Sequence, residues 1–361
     1  MSQPTVLGYI KEQPKQLAYV FENREEFIQP FLDVFEKNQI QKVIFFGSGT
    51  SYNVSIIAAY YFKHIVGLNA EAQYPTVFKN YEQADWTNSL DKKQILFVGV
   101  SQSGTSISTV EVMRYAQKMG YPTLAITGND KSVIAQYADV VTPLLVGDEL
   151  TPPETKGYTV SLLSVYLWAL ECAKQRDKMC DADYKKAIHE TKELIEHFQL
   201  VIDESEAWYD RNKSTILNSD RIYTLGYGID YGTVLEAQLK IGEMLRLPSL
   251  GYEIEEYSHG PTMALNSKQT IFIIGSDEKE FEHMLKFCEA FRRYSDRVHI
   301  ITCRDLKADV RNLNFSYRAN KYLAPVMYTV PFQFVAAKGA KDIGIDTSIN
   351  PFDIPLAHYE K

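Results

Sequence analysis

The residues with the clearest chemical potential are Ser101-Gln102-Ser103-Gly104-Thr105-Ser106. They follow the apolar run QILFVGV (94–100) and precede STVEVMRYAQKMG, whose apolar residues recur at helical spacing, so a strand-to-helix turn is predicted here. At a helix start the backbone N–H groups are unpaired and the helix dipole favours an anion. Hydroxyls at 101, 103 and 106 and the Gln102 amide add donors suited to a phosphate, and Gly104 removes a Cβ that would obstruct close approach. A second loop, Gly47-Ser48-Gly49-Thr50-Ser51, occupies the same position after KVIFFG (42–47). It is neither GxGxxG nor a Walker sequence, which argues against a dinucleotide or ATP. Helix capping is the alternative reading of any one such loop, whereas two in consecutive units favour a ligand.

In VLEAQLKIGEMLR, Glu236, Lys240 and Glu243 recur at intervals of four and three and share one helix face. One reading is an exposed ion-pair ladder. The other takes Leu235, Leu239 and Ile241 as signs of a helix covered on several sides, where desolvation raises a carboxyl into a useful range for proton transfer. His259, in EEYSHGPTMAL, is expected in a polar Gly-Pro loop, where a lone histidine is usually just solvated.

The elements that must position these groups are short strands alternating with amphipathic helices. KVIFFG, AEAQYPTVF near 70, QILFVGV, PTLAITG (122–128) and VVTPLLV (140–146) read as buried parallel strands, and the intervening segments as helices, giving a doubly wound α/β sheet. After a charged helical stretch, ADYKKAIHETKELIEHFQLVIDESEAWYDRN, expected to pack on the outside, the order begins again. RIYTLGYGIDYG (221–232) echoes KVIFFGSGTSYN, TIFIIGSDEKEF echoes the QILFVGV segment with its loop, and RVHIITCRD stands where PTLAITGND would. The expected layout is an N-terminal segment (1–19), a first α/β domain (20–178), a helical connector (179–212), a second domain (213–345) and a tail (346–361). The second copy lacks the Ser-rich loop, so only the first is expected to hold phosphate.

The bulk properties narrow the class. With 361 residues, 45% of them hydrophobic, the chain is long enough for two cores. A net charge of -8 argues against nucleic-acid binding, which needs a basic field. The four cysteines form no CxxC pair and the seven histidines show no ligand spacing, so no metal or other cofactor is expected. The start of the chain does not read as a signal peptide and no apolar run is long enough to span a bilayer, so a cytoplasmic protein with no membrane partner is expected.

GSGTSYN, SQSGTS, ETKGYT (154–159), LEAQLKIGE (235–243) and EEYSHGP (255–261), in this order, resemble the sugar isomerase (SIS) family, above all the isomerase half of glucosamine-6-phosphate synthase and its deglycase relatives. The resemblance covers nearly the whole chain and implies two tandem SIS-type doubly wound parallel-sheet, flavodoxin-like subdomains with flanking helices. By that similarity Ser51, Ser101, Gln102, Ser103 and Ser106 bind the phosphate of a sugar-phosphate substrate, and Gly49 gives the backbone room. The glutamate matching Glu243 is the family's base on the carbons beside the sugar carbonyl, and the histidine matching His259 opens the ring or acts as an acid. Lys240 falls among the expected substrate-binding positions. Family dimers commonly place this histidine in the neighbouring subunit's site, which implies a homodimer with a shared active site.

The sequence also departs from the synthase. No cysteine glutaminase domain precedes residue 20, so glutamine is not expected as the nitrogen source. Pro355 stands near the position of a tail lysine, and Lys361 lies too far along to replace it. Where the synthase has a VASTKA-like segment this chain has PPETKGYT, with Glu154 in place of a small hydroxyl residue. Glu154 is therefore a candidate partner for a substrate ammonium, or else part of a structural ion pair with Lys156 or a neighbouring chain. With the tail NPFDIPLAHYE, these changes favour a deglycase that releases glucose 6-phosphate and a free amine or amino acid from a phosphorylated Amadori product. A phosphosugar isomerase or deaminase, or a non-catalytic phosphosugar sensor, are the alternatives.

Overall fold

The computed structural model describes residues 5–352 and 356–359, so the Pro355 and Lys361 expectations fall outside the described residues. The chain divides into two compact units. The first takes residues 15–148, 156–189 and the C-terminal segment from 351, and the second takes the N-terminal segment, 149–155 and 190–350.

In the first unit, β1 (Lys42–Phe46), β2 (Asn69–Gln73), β3 (Ile95–Val100), β4 (Thr123–Thr127) and β5 (Val140–Pro143) form a parallel sheet in the order β2-β1-β3-β4-β5. Every residue of β3 and β4 is buried, as expected of strands covered by helices on both faces. Trp168, on the Lys156–Gln175 helix, stacks on Phe31 at 4.5 Å between ring centroids and donates its indole N–H to the Phe27 carbonyl at 3.0 Å. That bond removes the one polar cost of burying an indole.

The second unit repeats the plan. Its strands β6 (Arg221–Gly226), β7 (Ser249–Glu253), β8 (Gln269–Ile274), β9 (Val298–Thr302) and β10 (Leu313–Asn314) run parallel in the order β10-β9-β8-β6-β7. Both orders are the 2-1-3-4-5 arrangement of flavodoxin-like sheets, so the expected tandem doubly wound fold is the observed one. β6, β8 and β9 are the strands that the sequence echoes anticipate. β7 and β10 went unread, since Ser-Leu-Gly-Tyr-Glu lacks an apolar run and β10 is only two residues long.

Two local readings change. AEAQYPTVF is a strand only as far as Gln73, and Pro75 then opens the helix Pro75–Tyr81, where its missing N–H and fixed φ do no harm. The charged stretch forms two helices, Asp181–Glu196 and Phe198–Leu217. The first buries only Thr191 and Leu194, but the second belongs to the core: Trp208 is buried against Phe272 and donates to the Arg311 carbonyl at 2.8 Å. Among the described residues no helix is long and apolar enough to cross a membrane.

Candidate functional site

In a 2-1-3 strand order the connections leaving the two central strands diverge, and a crevice opens at their carboxyl ends. In the first unit those connections are the Gly47–Ser51 loop after β1 and the Ser101–Ser106 loop after β3. The first loop meets the Ile107–Met119 helix that follows the second, through the hydroxyls of Ser48 and Ser108, 2.9 Å apart. Gly104 has φ +66, and a Cβ there would lie 1.9 Å from the Ser132 hydroxyl, so this position requires glycine. Gly49, at φ 58 and ψ -130, starts the Thr50–Tyr61 helix, with Ser51 buried in its first turn.

Ser106, at the start of the Ile107–Met119 helix, makes no side-chain cap bond, and the residue at the start of the other helix is Gly49. The Ser101 hydroxyl accepts the Gly104 N–H at 3.1 Å, the Ser103 hydroxyl accepts the Thr105 N–H at 3.3 Å, and the Ser106 hydroxyl accepts from Thr109 at 3.4 Å. A hydroxyl that accepts keeps its own proton, so Ser101 and Ser106 retain a donor for an anion. The Gln102 carbonyl is tied to the Gly128 N–H at 3.0 Å and the Thr127 hydroxyl at 3.3 Å, which fixes the loop from beneath.

The corresponding place in the second unit is filled by the protein itself. In the echo of GSGTSYN by GYGIDYG, Asp230 stands where Ser51 does. Its fully buried carboxyl accepts the Ser276 N–H at 2.8 Å and the Ser276 hydroxyl at 2.7 Å. Burial pushes this acid up to about 7, against the lowering effect of the two Ser276 bonds. Donors that could face an external anion are already spent on an internal one.

The second unit carries the ionisable cluster. On the Asp230–Met244 helix, Lys240 lies 2.9 Å from Glu243 and 3.6 Å from Glu236. The side chains of Lys240 and Glu236 are each 2% exposed and that of Glu243 is 37% exposed. The face is thus buried at one end and open at the other, which the spacing alone did not reveal. The expected desolvation falls on Glu236 and Lys240 rather than on Glu243. Burial opposes the charge of Lys240, but Glu243, Glu236 and Glu154 hold it well above its ordinary value.

Glu154 is half-buried, and among the described residues its carboxyl makes no hydrogen bond or ion pair. Burial pushes it up to about 8, with Lys240 opposing and Glu149, Glu236 and Glu243 assisting. His259 is exposed at the end of the Ile254–Ser258 helix, just before Gly260 at φ +139, in the polar loop the sequence predicts. No hydrogen bond or ion pair joins it to Glu243 among the described residues. Sequence reasoning missed Ser108 and Thr127, whose contacts cross between segments, and it did not place the tail on this loop, where the Tyr359 N–H donates to the Thr105 carbonyl at 2.9 Å.

Fold and loops together define a tandem doubly wound α/β protein whose first unit sets two hydroxyl-rich loops at the ends of its central strands and whose second carries a buried lysine-carboxylate cluster. The SIS domain family matches residues 38–171 and 215–336, more than half of the chain, and the protein belongs to that family. Glutamine--fructose-6-phosphate aminotransferase (isomerizing) of Bartonella henselae is 25% identical over 350 residues, covering 95% of this chain and 55% of that protein. The chain thus spans about half the length of the curated relatives it matches. A candidate phosphosugar isomerase from Clostridium difficile 630 superposes with a TM-score of 0.86 at 28% identity, covering 97% of this chain and 96% of that one. Glucosamine-6-phosphate deaminase of Thermotoga maritima, at TM-score 0.75 and 20% identity over 96% of this chain and 97% of that one, shares the fold.

Proposed function

We propose that this protein is a phosphosugar enzyme that removes the amine from a phosphorylated Amadori product, yielding glucose 6-phosphate and a free amine or amino acid. The resemblance to enzymes named for phosphosugar isomerisation and amino-sugar phosphate chemistry supports the substrate class. Ser51, Ser101, Gln102, Ser103 and Ser106 hold the phosphate, with Gly49 giving the backbone room to approach it. This grip lies away from the reacting carbons and supplies orientation.

Glu243, held by Lys240 at 2.9 Å, is the base in this reading. It takes a proton from C1 of the open-chain ketosamine, giving an enaminol. Proton return at C2 leaves an imine between C1 and nitrogen, and water adds at C1, expelling the amine and leaving the aldehyde of glucose 6-phosphate. His259 assists ring opening or proton return. Its exposure, and the absence of a side-chain partner for it among the described residues, support delivery to a second copy's Glu243 in a homodimer. A cytoplasmic location fits such a substrate.

In this reading Glu154 carries the choice of deglycase over isomerase: among the described residues its carboxyl makes no hydrogen bond or ion pair, and a substrate's ammonium group would draw off the proton that burial holds on it. The decisive experiment incubates the protein with the 6-phosphates of fructoselysine, fructose-asparagine and glucosamine and measures released glucose 6-phosphate, fructose 6-phosphate and amine. Glucose 6-phosphate with free amino acid is expected. Fructose 6-phosphate and ammonia from glucosamine 6-phosphate would refute it in favour of a deaminase.

A further inference from the structure

The C-terminal segment lies directly on the Ser101–Ser106 loop, within the first unit. Ser106 and His358 form an antiparallel bridge, the Ile107 N–H donates to the Ala357 carbonyl at 3.2 Å, and the Tyr359 N–H donates to the Thr105 carbonyl at 2.9 Å. The Tyr359 hydroxyl then anchors the segment by donating to Glu111 at 2.6 Å. The backbone contacts hold the segment in place without any side chain at 358.

The His358 side chain does something else. Its Nδ1 lies 3.3 Å from the Thr105 hydroxyl, which lies 3.0 Å from the Ser103 hydroxyl. Each hydroxyl has a single proton to give. If Thr105 gives its proton to Ser103, Thr105 needs a donor of its own, and the Ser103 proton is then released towards the crevice. If residue 358 offers Thr105 no donor, Thr105 is free to accept the Ser103 proton instead, and Ser103 then turns its proton inward. The polarity of the chain therefore decides whether Ser103 presents a proton or a lone pair.

We propose that His358 is a positioning residue for the anion loop, donating from Nδ1 to Thr105 so that the Ser103 hydroxyl points its proton at the substrate phosphate. The proposal rests on the reading of this loop as a phosphate site. It assigns a part in recognition to His358, which acts through Thr105.

The test is calorimetric titration of the full-length protein with glucose 6-phosphate. Ser103→Ala is expected to weaken binding, and His358→Leu to weaken it roughly fivefold, the scale of one misdirected hydrogen bond. His358→Asn, which can place an N–H donor near the site of Nδ1, is expected to recover affinity to within about twofold. In a Thr105→Val background His358→Leu is expected to add nothing, because the relay is already cut. Unchanged binding in His358→Leu, no recovery in His358→Asn, or additive losses with Thr105→Val would overturn the positioning role and leave the phosphate site standing. No loss in Ser103→Ala would instead remove the phosphate reading, and this inference with it.

Discussion

Lys240 sits at the centre of the second unit's ionisable cluster. A buried ammonium is tolerated because Glu236 and Glu243 sit within ion-pair distance, so its removal takes an ion-pair partner from the buried Glu236 carboxylate. Glu243→Gln, keeping the shape and removing the proposed base, is expected to lower kcat by about two to four orders of magnitude with little change in KM, checked by steady-state release of glucose 6-phosphate. Glu154 predicts a pH effect whose sign follows from its raised value. Its stabilising contribution is complete below the ordinary carboxylate range and is lost as pH rises through about 8. Glu154→Gln is therefore expected to lose less stability than the parent between pH 6 and 9, read from urea midpoints. The same variant is expected to lose more turnover on amino-acid than on plain-amine Amadori phosphates; equal loss on both would sink the ammonium role.

At the scale of elements, the two strand-to-helix connections of each sheet solve the same electrostatic problem differently. In the first unit the hydroxyls of Ser101 and Ser103 hold the backbone of their own loop, and Gly104 makes the turn possible. Gly104→Ala would force a left-handed backbone on a residue with a Cβ and press it into Ser132, so a loss of about 1–3 kcal/mol and of glucose 6-phosphate binding is expected, by thermal melting and titration. In the second unit Asp230 supplies the anion from within. Its folded value of about 7 lies above its ordinary one, so its contribution is lost as pH rises through 7. Asp230→Asn is expected to flatten the fall in stability between pH 5 and 8, measured by urea denaturation.

On the scale of the whole molecule, each unit has its own apolar core, centred in one on Phe46, Phe97 and Met113 and in the other on Leu225, Ile273 and Met284. Each unit also buries a tryptophan whose indole N–H is satisfied by a backbone carbonyl, Trp168 in the first and Trp208 in the second. Trp168→Ala and Trp208→Ala are each expected to destabilise the protein by about 3–5 kcal/mol in equilibrium unfolding, because the cavity and the stranded carbonyl add to the lost burial.

Local pattern alone determined the alternation of β1, β3, β4, β6, β8 and β9 with their helices and the position of both loops after β1 and β3. Those features depend on neighbours in the chain: runs of apolar residues, helical periodicity, and glycine at a turn. The spacing of Glu236, Lys240 and Glu243 likewise fixed that they share a face, but not that Lys240 is covered while Glu243 is open, since burial is set by what packs on the helix. The tertiary structure alone decided that Ser48 meets Ser108, that Asp230 closes on Ser276, and that His358 reaches Thr105 from the far end of the chain. A hydrogen bond across 46 or 253 residues leaves no periodic trace in the sequence, because it depends on where the strands set the loops and not on what stands beside them.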